Sequence, residues 1–278
     1  MIDALPAQRR LVGAALRRYR ENLGFGLEEA ARILECDRSK ISRIETGQRG
    51  IRPKELRELL TEYGVTEHEQ GALAAIAQTA RRGGWWQQYG DEIGEQSREL
   101  LALESAASEL LLYDAQQVPD LLQTPRYAQA SAYVSAYHGI SPETLTEITA
   151  SRQRAVFSER RTRVVALIGE AALRPAALSD EIMREQAARL TEISETSAET
   201  VIRILPALCG APSCGPATIL RFADASSLGA VYLQGLSGGV CLAGQQDVAS
   251  YTRAFEHIKA FALSPTDSAR LLREKIAD

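Results

Sequence analysis

Residues 38–47 read Arg-Ser-Lys-Ile-Ser-Arg-Ile-Glu-Thr-Gly and follow a short apolar-periodic stretch at 27–34 across a tight break. Ile41 and Ile44 are three apart and share one face of a helix, while Arg38, Ser39, Ser42 and Arg43 fall on the other. Asp37 suits the cap before such a helix, because its carboxylate can accept backbone N–H bonds. Gly47 suits the position after it, where a left-handed residue is needed. A helix this short, with an apolar back and a basic, hydroxyl-rich front, fits a reader of the DNA major groove. Arg can read guanine through two hydrogen bonds, and Ser can bond a base edge or a phosphate.

The first 80 residues read as all-helical around this stretch. Leu11, Ala15, Leu16, Tyr19 and Leu23 recur at helical spacing up to Gly24, and Leu27, Ala30, Ala31 and Leu34 repeat the pattern. Pro53 opens a further helix with Leu56, Leu59 and Leu60, as a first turn tolerates it. Thr66-Glu67-His68-Glu69 forms a capping box for a fifth helix, Glu67–Arg82. The stretches at 27–34 and 38–45 are thereby expected to form a helix-turn-helix.

The chain has 278 residues, enough for about two domains at roughly 150 residues each. Its formal net charge is −4, which by itself argues against a nucleic-acid binder, but the charge is unevenly spread. Residues 1–64 hold 13 basic and 10 acidic side chains, and residues 65–278 hold 19 and 26. Between Arg38 and Arg57 there are seven basic residues and two acidic ones. This is the footprint of a DNA-reading end joined to an acidic body. Cys36, Cys209, Cys214 and Cys241 show no C-x-x-C spacing, and His68, His138 and His257 lie far from them, so zinc spacing is absent and free thiols are expected. No apolar run approaches the ~20 residues that span a bilayer. The first residues carry no apolar core of a secretory signal, which makes the cytoplasm the expected compartment.

Gly83-Gly84 marks a domain boundary, giving a DNA-binding domain at 1–82, a linker at 83–96 and a second domain at 97–278. Trp85-Trp86 could stack on bases, but no basic residues interleave with them, so packing of the linker onto the second domain is the preferred reading. Helices are expected at 97–113, 125–137 and 142–158. A strand is expected at 163–168, where β-branched residues gather, then a helix at 180–194. Four short strands follow at 200–205, 217–222, 229–233 and 239–242, separated by Gly/Pro/Ser-rich turns. The short intervals favour an antiparallel meander over βαβ units. Helices at 245–262 and 265–276 close the chain. The second domain is thus expected to be α+β, with helices on one face of a small, mostly antiparallel sheet.

The N-terminal pattern is similar to the Cro/phage-repressor (XRE) family of helix-turn-helix regulators. The residues that carry this are Gly24-Phe25, Glu28-Glu29-Ala30-Ala31, residues 38–45 and Gly47. More narrowly, the chain from about residue 10 onward resembles actinobacterial XRE regulators with an otherwise uncharacterised, antitoxin-like C-terminal domain. The marks are Gly84-Trp85-Trp86, Val118-Pro119-Asp120-Leu121-Leu122-Gln123-Thr124 with Tyr127-Ala128, Glu170-Ala171-Ala172-Leu173-Arg174 and Met183-Arg184-Glu185-Gln186. Ile204-Leu205-Pro206, Tyr232, residues 235–239 and Leu263-Ser264-Pro265 complete them. The resemblance implies base contacts at Arg38, Ser39 and Arg43, with Lys40, Ser42 and Thr46 near phosphates. It also implies an ion pair between Arg20 and Glu45. It departs at Gly26-Leu27, where the family usually has Ser-Gln and the Gln often contacts a phosphate. Members often sit beside genes for small partner proteins, which implies a protein-binding second domain.

The expected function is a sequence-specific transcription regulator that binds double-stranded DNA as a homodimer, since one short helix buries too little surface for useful specificity. Its second domain would hold a small partner protein. The alternative is a ligand-sensing regulator, with a small-molecule pocket between the sheet and the helices of residues 97–158. An enzymatic second domain built on Glu170 with His257 or Asp247 lacks any G-x-S-x-G, Walker, H-E-x-x-H or Rossmann pattern. No catalytic residue, metal or cofactor is therefore assigned.

Overall fold

The computed structural model describes residues 6–82, 84–135, 141–159, 162–174, 178–207, 215–222, 229–235 and 238–277. Gly83, Cys209, Cys214, residues 136–137 of one expected helix and most of the loop at 206–216 lie outside the described residues.

The first domain is helical: α1 (Ala7–Asn22), α2 (Leu27–Ile33), α3 (Arg38–Glu45), α4 (Pro53–Glu62) and α5 (Glu67–Arg82). Leu11, Leu16, Ile41, Ile44, Leu56 and Leu60 of the predicted apolar set are buried and are joined by Leu73 and Ile76 of α5, but Leu23 at the end of α1 is 45% exposed. Gly13 lies where α1 crosses α3. A Cβ there would run into the carbonyl oxygens of Ile44 and Glu45, so only glycine lets the two backbones approach this closely. Gly24 and Gly47 both have positive φ, at 69° and 77°, and end α1 and α3 as expected. Asp37 does occupy the cap position of α3, but its side chain makes no capping hydrogen bond.

From Trp85 to Glu92 the chain forms tight 3-10 turns. Trp86 is buried with Ile93, Leu101, Ala102 and Ile148, so the paired indoles pack the linker onto the second domain. The second domain then runs α6 (Glu95–Glu104), β1 (Glu109–Asp114), α7 (Pro125–Ser135), α8 (Pro142–Gln153), β2 (Arg163–Gly169) and α9 (Asp180–Thr196). It continues with β3 (Thr200–Leu205), β4 (Ala217–Arg221), β5 (Gly229–Gly235), β6 (Gly238–Leu242), α10 (Gln245–Phe261) and α11 (Pro265–Ala277).

The sheet has six strands in the order β3-β2-β1-β4-β5-β6. β4, β5 and β6 form the expected antiparallel meander, and β4 also pairs antiparallel with β1. β1, β2 and β3 are parallel to one another. This corrects the sequence reading of strand 200–205, which is no part of the meander. It returns through α9 to lie beside β2, as a parallel pair requires a long crossover. A second correction concerns residues 97–113. The helix stops at Glu104, and Glu109–Asp114 is one of the two central strands. Leu110-Leu111-Leu112-Tyr113 is buried on both faces, and such a continuous apolar run has no period that separates strand from helix.

The third correction is that helices cover both faces of the sheet. Leu110, Leu112, Val164, Ile202, Leu220 and Tyr232 face a core shared with α6, α9 and α11. Leu111, Tyr113, Val165, Ile219 and Val231 face α10 through Val248, Phe255 and Ile258. The outer edge of β3 is closed by the segment that runs from the end of α10 into the first turn of α11. Ile204 N–H donates to Ser268 Oγ at 2.9 Å, and its carbonyl accepts from Leu263 N–H at 2.8 Å. The Arg203 guanidinium donates to the carbonyls of Ala262 and Leu263, both at 2.7 Å.

The two domains share a contact. At the start of α1, Ala7 N–H donates to Glu99 Oε1 of α6 at 2.7 Å in a buried site. Arg10 Nη2 donates to the Cys241 carbonyl of β6 at 3.0 Å. No helix among the described residues is long and apolar enough to cross a membrane.

Candidate nucleic-acid interface

α3 carries its apolar back, Ile41 and Ile44, into the core and leaves Arg38, Ser39, Arg43 and Thr46 exposed, with Ser42 half-buried. Arg43 Nε donates to the Ser39 carbonyl at 3.3 Å, which lays the guanidinium along the helix face. Thr46 Oγ1 donates to the Ser42 carbonyl at 2.9 Å. Arg38 pairs with Glu28 at 3.0 Å, but the Arg38 side chain is 68% exposed and can exchange that partner for another anion. Lys40 differs from the rest. Its ammonium donates to Glu55 of α4 at 2.7 Å and its side chain is only 18% exposed. Burial works against the Glu55 carboxylate, but Lys40 and the Arg52 N–H outweigh it and hold its pKa down. Five of the six expected contact residues therefore lie together on or beside the open face, and Lys40 is engaged inside the domain.

The Arg20–Glu45 pair fixes the orientation of this face. Arg20 donates to both carboxylate oxygens, at 2.6 and 2.8 Å, and to the Phe25 carbonyl at 2.6 Å. Both side chains are buried. The hydrogen bond to Glu45 is the main reason the Arg20 pKa is raised. Tyr63 beside them is pushed up to about 12, first by burial and then by the Glu45 charge. At the start of α2, Gly26 N–H donates to Glu29 Oε2 at 2.8 Å, so the helix is capped without the usual Ser. Leu27 packs partly buried against the core, where a Gln would reach outward. The sequence reading passed over Arg9, Arg49 and Arg52. They line a cleft of about 220 Å³ behind α3 with Gly13, Ile44 and Ile51. The signal was present in the basic run from Arg38 to Arg57, but nothing in its spacing tied Arg9 to it.

A second concavity lies in the other domain. A cavity of about 370 Å³ opens between α6, the Asp120–Leu122 turn, α8 and the ends of β1, β4 and β5. Asp114, Asp120, Arg152, Thr218, Tyr232 and Gln234 line it. A recess of about 110 Å³ continues it toward Ser97 and Thr149. Arg152, its side chain 11% exposed, lies on one wall and donates to both oxygens of buried Glu104, at 2.6 and 2.9 Å. Burial disfavours its charge, but the Glu104 carboxylate more than offsets this and its pKa is raised. Asp114 Oδ1 accepts the N–H groups of Gln116 and Gln117, at 2.8 and 3.0 Å.

Residues 97–274 match the family model described as a domain of unknown function, DUF5753. The chain belongs to the DUF5753 family. Residues 11–73 match the model of a helix-turn-helix domain, which supports a DNA-binding regulator with α2 and α3 as the motif. Neither description names an enzymatic activity. Searches of the curated proteins and of the solved structures give no match.

Within the DUF5753 domain, the motif residues 118–128 build one wall of the cavity. Gln123 Nε2 donates to the Val118 carbonyl at 2.7 Å, and Val118 N–H donates to the Tyr127 hydroxyl at 3.2 Å. Fully buried Gln186 clamps the same turn from α9, accepting from Thr124 N–H at 2.8 Å and donating to the Leu122 carbonyl at 2.9 Å. Asp120 is thereby held at the cavity mouth by a network that the sequence marks but does not explain.

Proposed function

We propose that the chain is an XRE-type, sequence-specific transcription regulator that binds double-stranded DNA in the cytoplasm as a homodimer. Arg38, Ser39 and Arg43 contact base edges in the major groove, and Ser42, Thr46 and Lys40 lie toward phosphates. The observation that carries this is the exposed basic and hydroxyl face of α3 over a buried Ile41–Ile44 back, inside a segment that matches a helix-turn-helix domain. For Lys40 to reach a phosphate it must leave Glu55. The test is selection of bound duplexes from a random pool with the purified protein. A palindromic motif with half-sites about 10 base pairs apart, or a multiple of that, is expected of a dimer. Failure to enrich any motif removes the reading.

For the second domain, the resemblance suggests a small partner protein in the manner of an antitoxin. The cavity favours the other reading, a ligand sensor without enzymatic activity. At about 370 Å³ it falls within the range of roughly 300–1,000 Å³ typical of small-molecule sites. It also lies between the sheet and the helices of residues 97–158.

A further inference from the structure

The cavity of the second domain carries more negative charge than its own residues neutralise. Its floor is the sheet face of Leu112, Asp114, Thr218 and Tyr232, and α6, the Asp120–Leu122 turn and α8 close over it. Among the described lining residues the charged groups are Asp114, Asp120 and Arg152. The Arg152 guanidinium is already engaged by both oxygens of Glu104, while Asp120 stands 3.8 Å away. The lining thus sets two carboxylates, Asp114 and Asp120, against one guanidinium that Glu104, outside the lining, already pairs. The backbone N–H groups of Gln116 and Gln117 orient Asp114 without cancelling its charge. Burial raises the Asp114 pKa, and the charge of Asp120 raises it further, so the two carboxylates feel each other across the space. Residues 208–214 and 236–237, which adjoin the lining residues Pro216 and Gly235 in sequence, contain no charged side chain.

We propose that this cavity binds a small organic cation, an ammonium group on a body bearing hydroxyl or amide functions, with the ammonium between Asp114 and Asp120. The proposal rests on the ligand-sensor reading of the domain. Hydrogen bonds from an ammonium to carboxylates are roughly twice as strong as neutral ones, and a desolvated wall strengthens them. Tyr232 adds an aromatic ring, whose face attracts cations. Gln116, Gln117 and Gln234 offer amide donors and acceptors to the body of the ligand. An anion would meet two carboxylates and a guanidinium that is already neutralised.

Occupancy is connected to the DNA reader through α6. Leu100 of that helix lines the cavity, Ser97 lines its recess and Glu104 holds Arg152. Glu99, on the same helix, accepts the N–H that begins α1.

The test is thermal unfolding of the full chain with three amines at millimolar concentration: tyramine, trans-4-aminocyclohexanol and glucosamine. Their neutral counterparts are 4-ethylphenol, cyclohexanol and glucose, and cyclohexanecarboxylate serves as the anion. The proposal expects at least one amine to raise the Tm and to bind about tenfold or more tighter than its counterpart, a difference of about 1.4 kcal/mol. Asp114→Asn keeps the oxygen that accepts the two backbone N–H groups, so the turn survives. This variant and Asp120→Asn should each lose the amine effect while keeping their own Tm. If neutral compounds or the carboxylate bind as well as the amines, and Thr218→Phe abolishes that binding by filling the cavity, the sensor reading stands and the cation assignment is overturned. If no compound shifts the Tm, both fall.

Discussion

Lys40 and Arg43 sit three apart on α3, yet their surroundings divide them. Arg43 is exposed and its guanidinium hydrogen-bonds the Ser39 carbonyl of its own helix, so it can reach a base edge at little cost. The Lys40 ammonium is held by Glu55 in a half-buried pair and must break that bond to reach a phosphate. Glu55→Gln should therefore release Lys40 and raise affinity for all DNA sequences alike. Lys40→Ala, which removes that phosphate contact, should flatten the salt dependence by about 0.9 in log–log slope. Binding isotherms at several salt concentrations check this. An unchanged slope would mean that Lys40 stays inside the domain when DNA binds. The spacing of residues 38–46 shows which side chains share a face, and it does so correctly. It could not show that Glu55, on a different helix, would claim one of them.

At the scale of elements, the position of α3 depends on two contacts with α1. Gly13 lets the backbones meet, and Arg20 grips the far end of α3 through Glu45. Removing Arg20 leaves the Glu45 carboxylate buried without its cation. Arg20→Ala should destabilise the protein by about 3–5 kcal/mol, the usual cost of breaking a buried ion pair. Replacing both residues with apolar ones should cost less than that single change. Denaturant titrations of the single and double variants measure the difference, and a cost under ~1 kcal/mol for Arg20→Ala would mark the pair as a surface-like contact. The helices of this domain were legible because their apolar period, caps and glycines agree. The sheet was legible only in part. β5 and β6 are separated by the Gly-rich turn at 235–239, and the intervals between β4, β5 and β6 are too short for a crossover, which announces a meander. β1 follows α6 after only four residues and is apolar on both faces, so neither turn chemistry nor period announced it. The cover on its second face comes from α10, about 130 residues further along the chain, and no local pattern carries that information.

At the scale of the whole molecule, the two domains are joined by more than a linker. Trp86 fixes the connection, and Glu99 and Cys241 reach α1 from the second domain. Burial raises the Glu99 pKa, and the N–H of Ala7 opposes that shift. Glu99→Ala should leave that buried N–H unsatisfied, at a cost of about 1–3 kcal/mol. Its effect should appear in the unfolding of the first domain as well as the second, which hydrogen exchange along α1 would resolve. Unchanged protection of α1 would show that the domains are independent. The DNA face and the cavity were legible to different degrees for the same reason. A reading helix is local in sequence, whereas Asp114, Arg152 and Tyr232 meet only when the sheet closes. The measurement that bears most directly on DNA reading by α3 is duplex selection repeated with Arg43→Ala beside the wild-type protein. The variant should keep its fold, bind the wild-type motif about 1–3 kcal/mol more weakly and lose preference at one base pair in each half-site. An identical motif at unchanged affinity would show that α3 does not read the DNA.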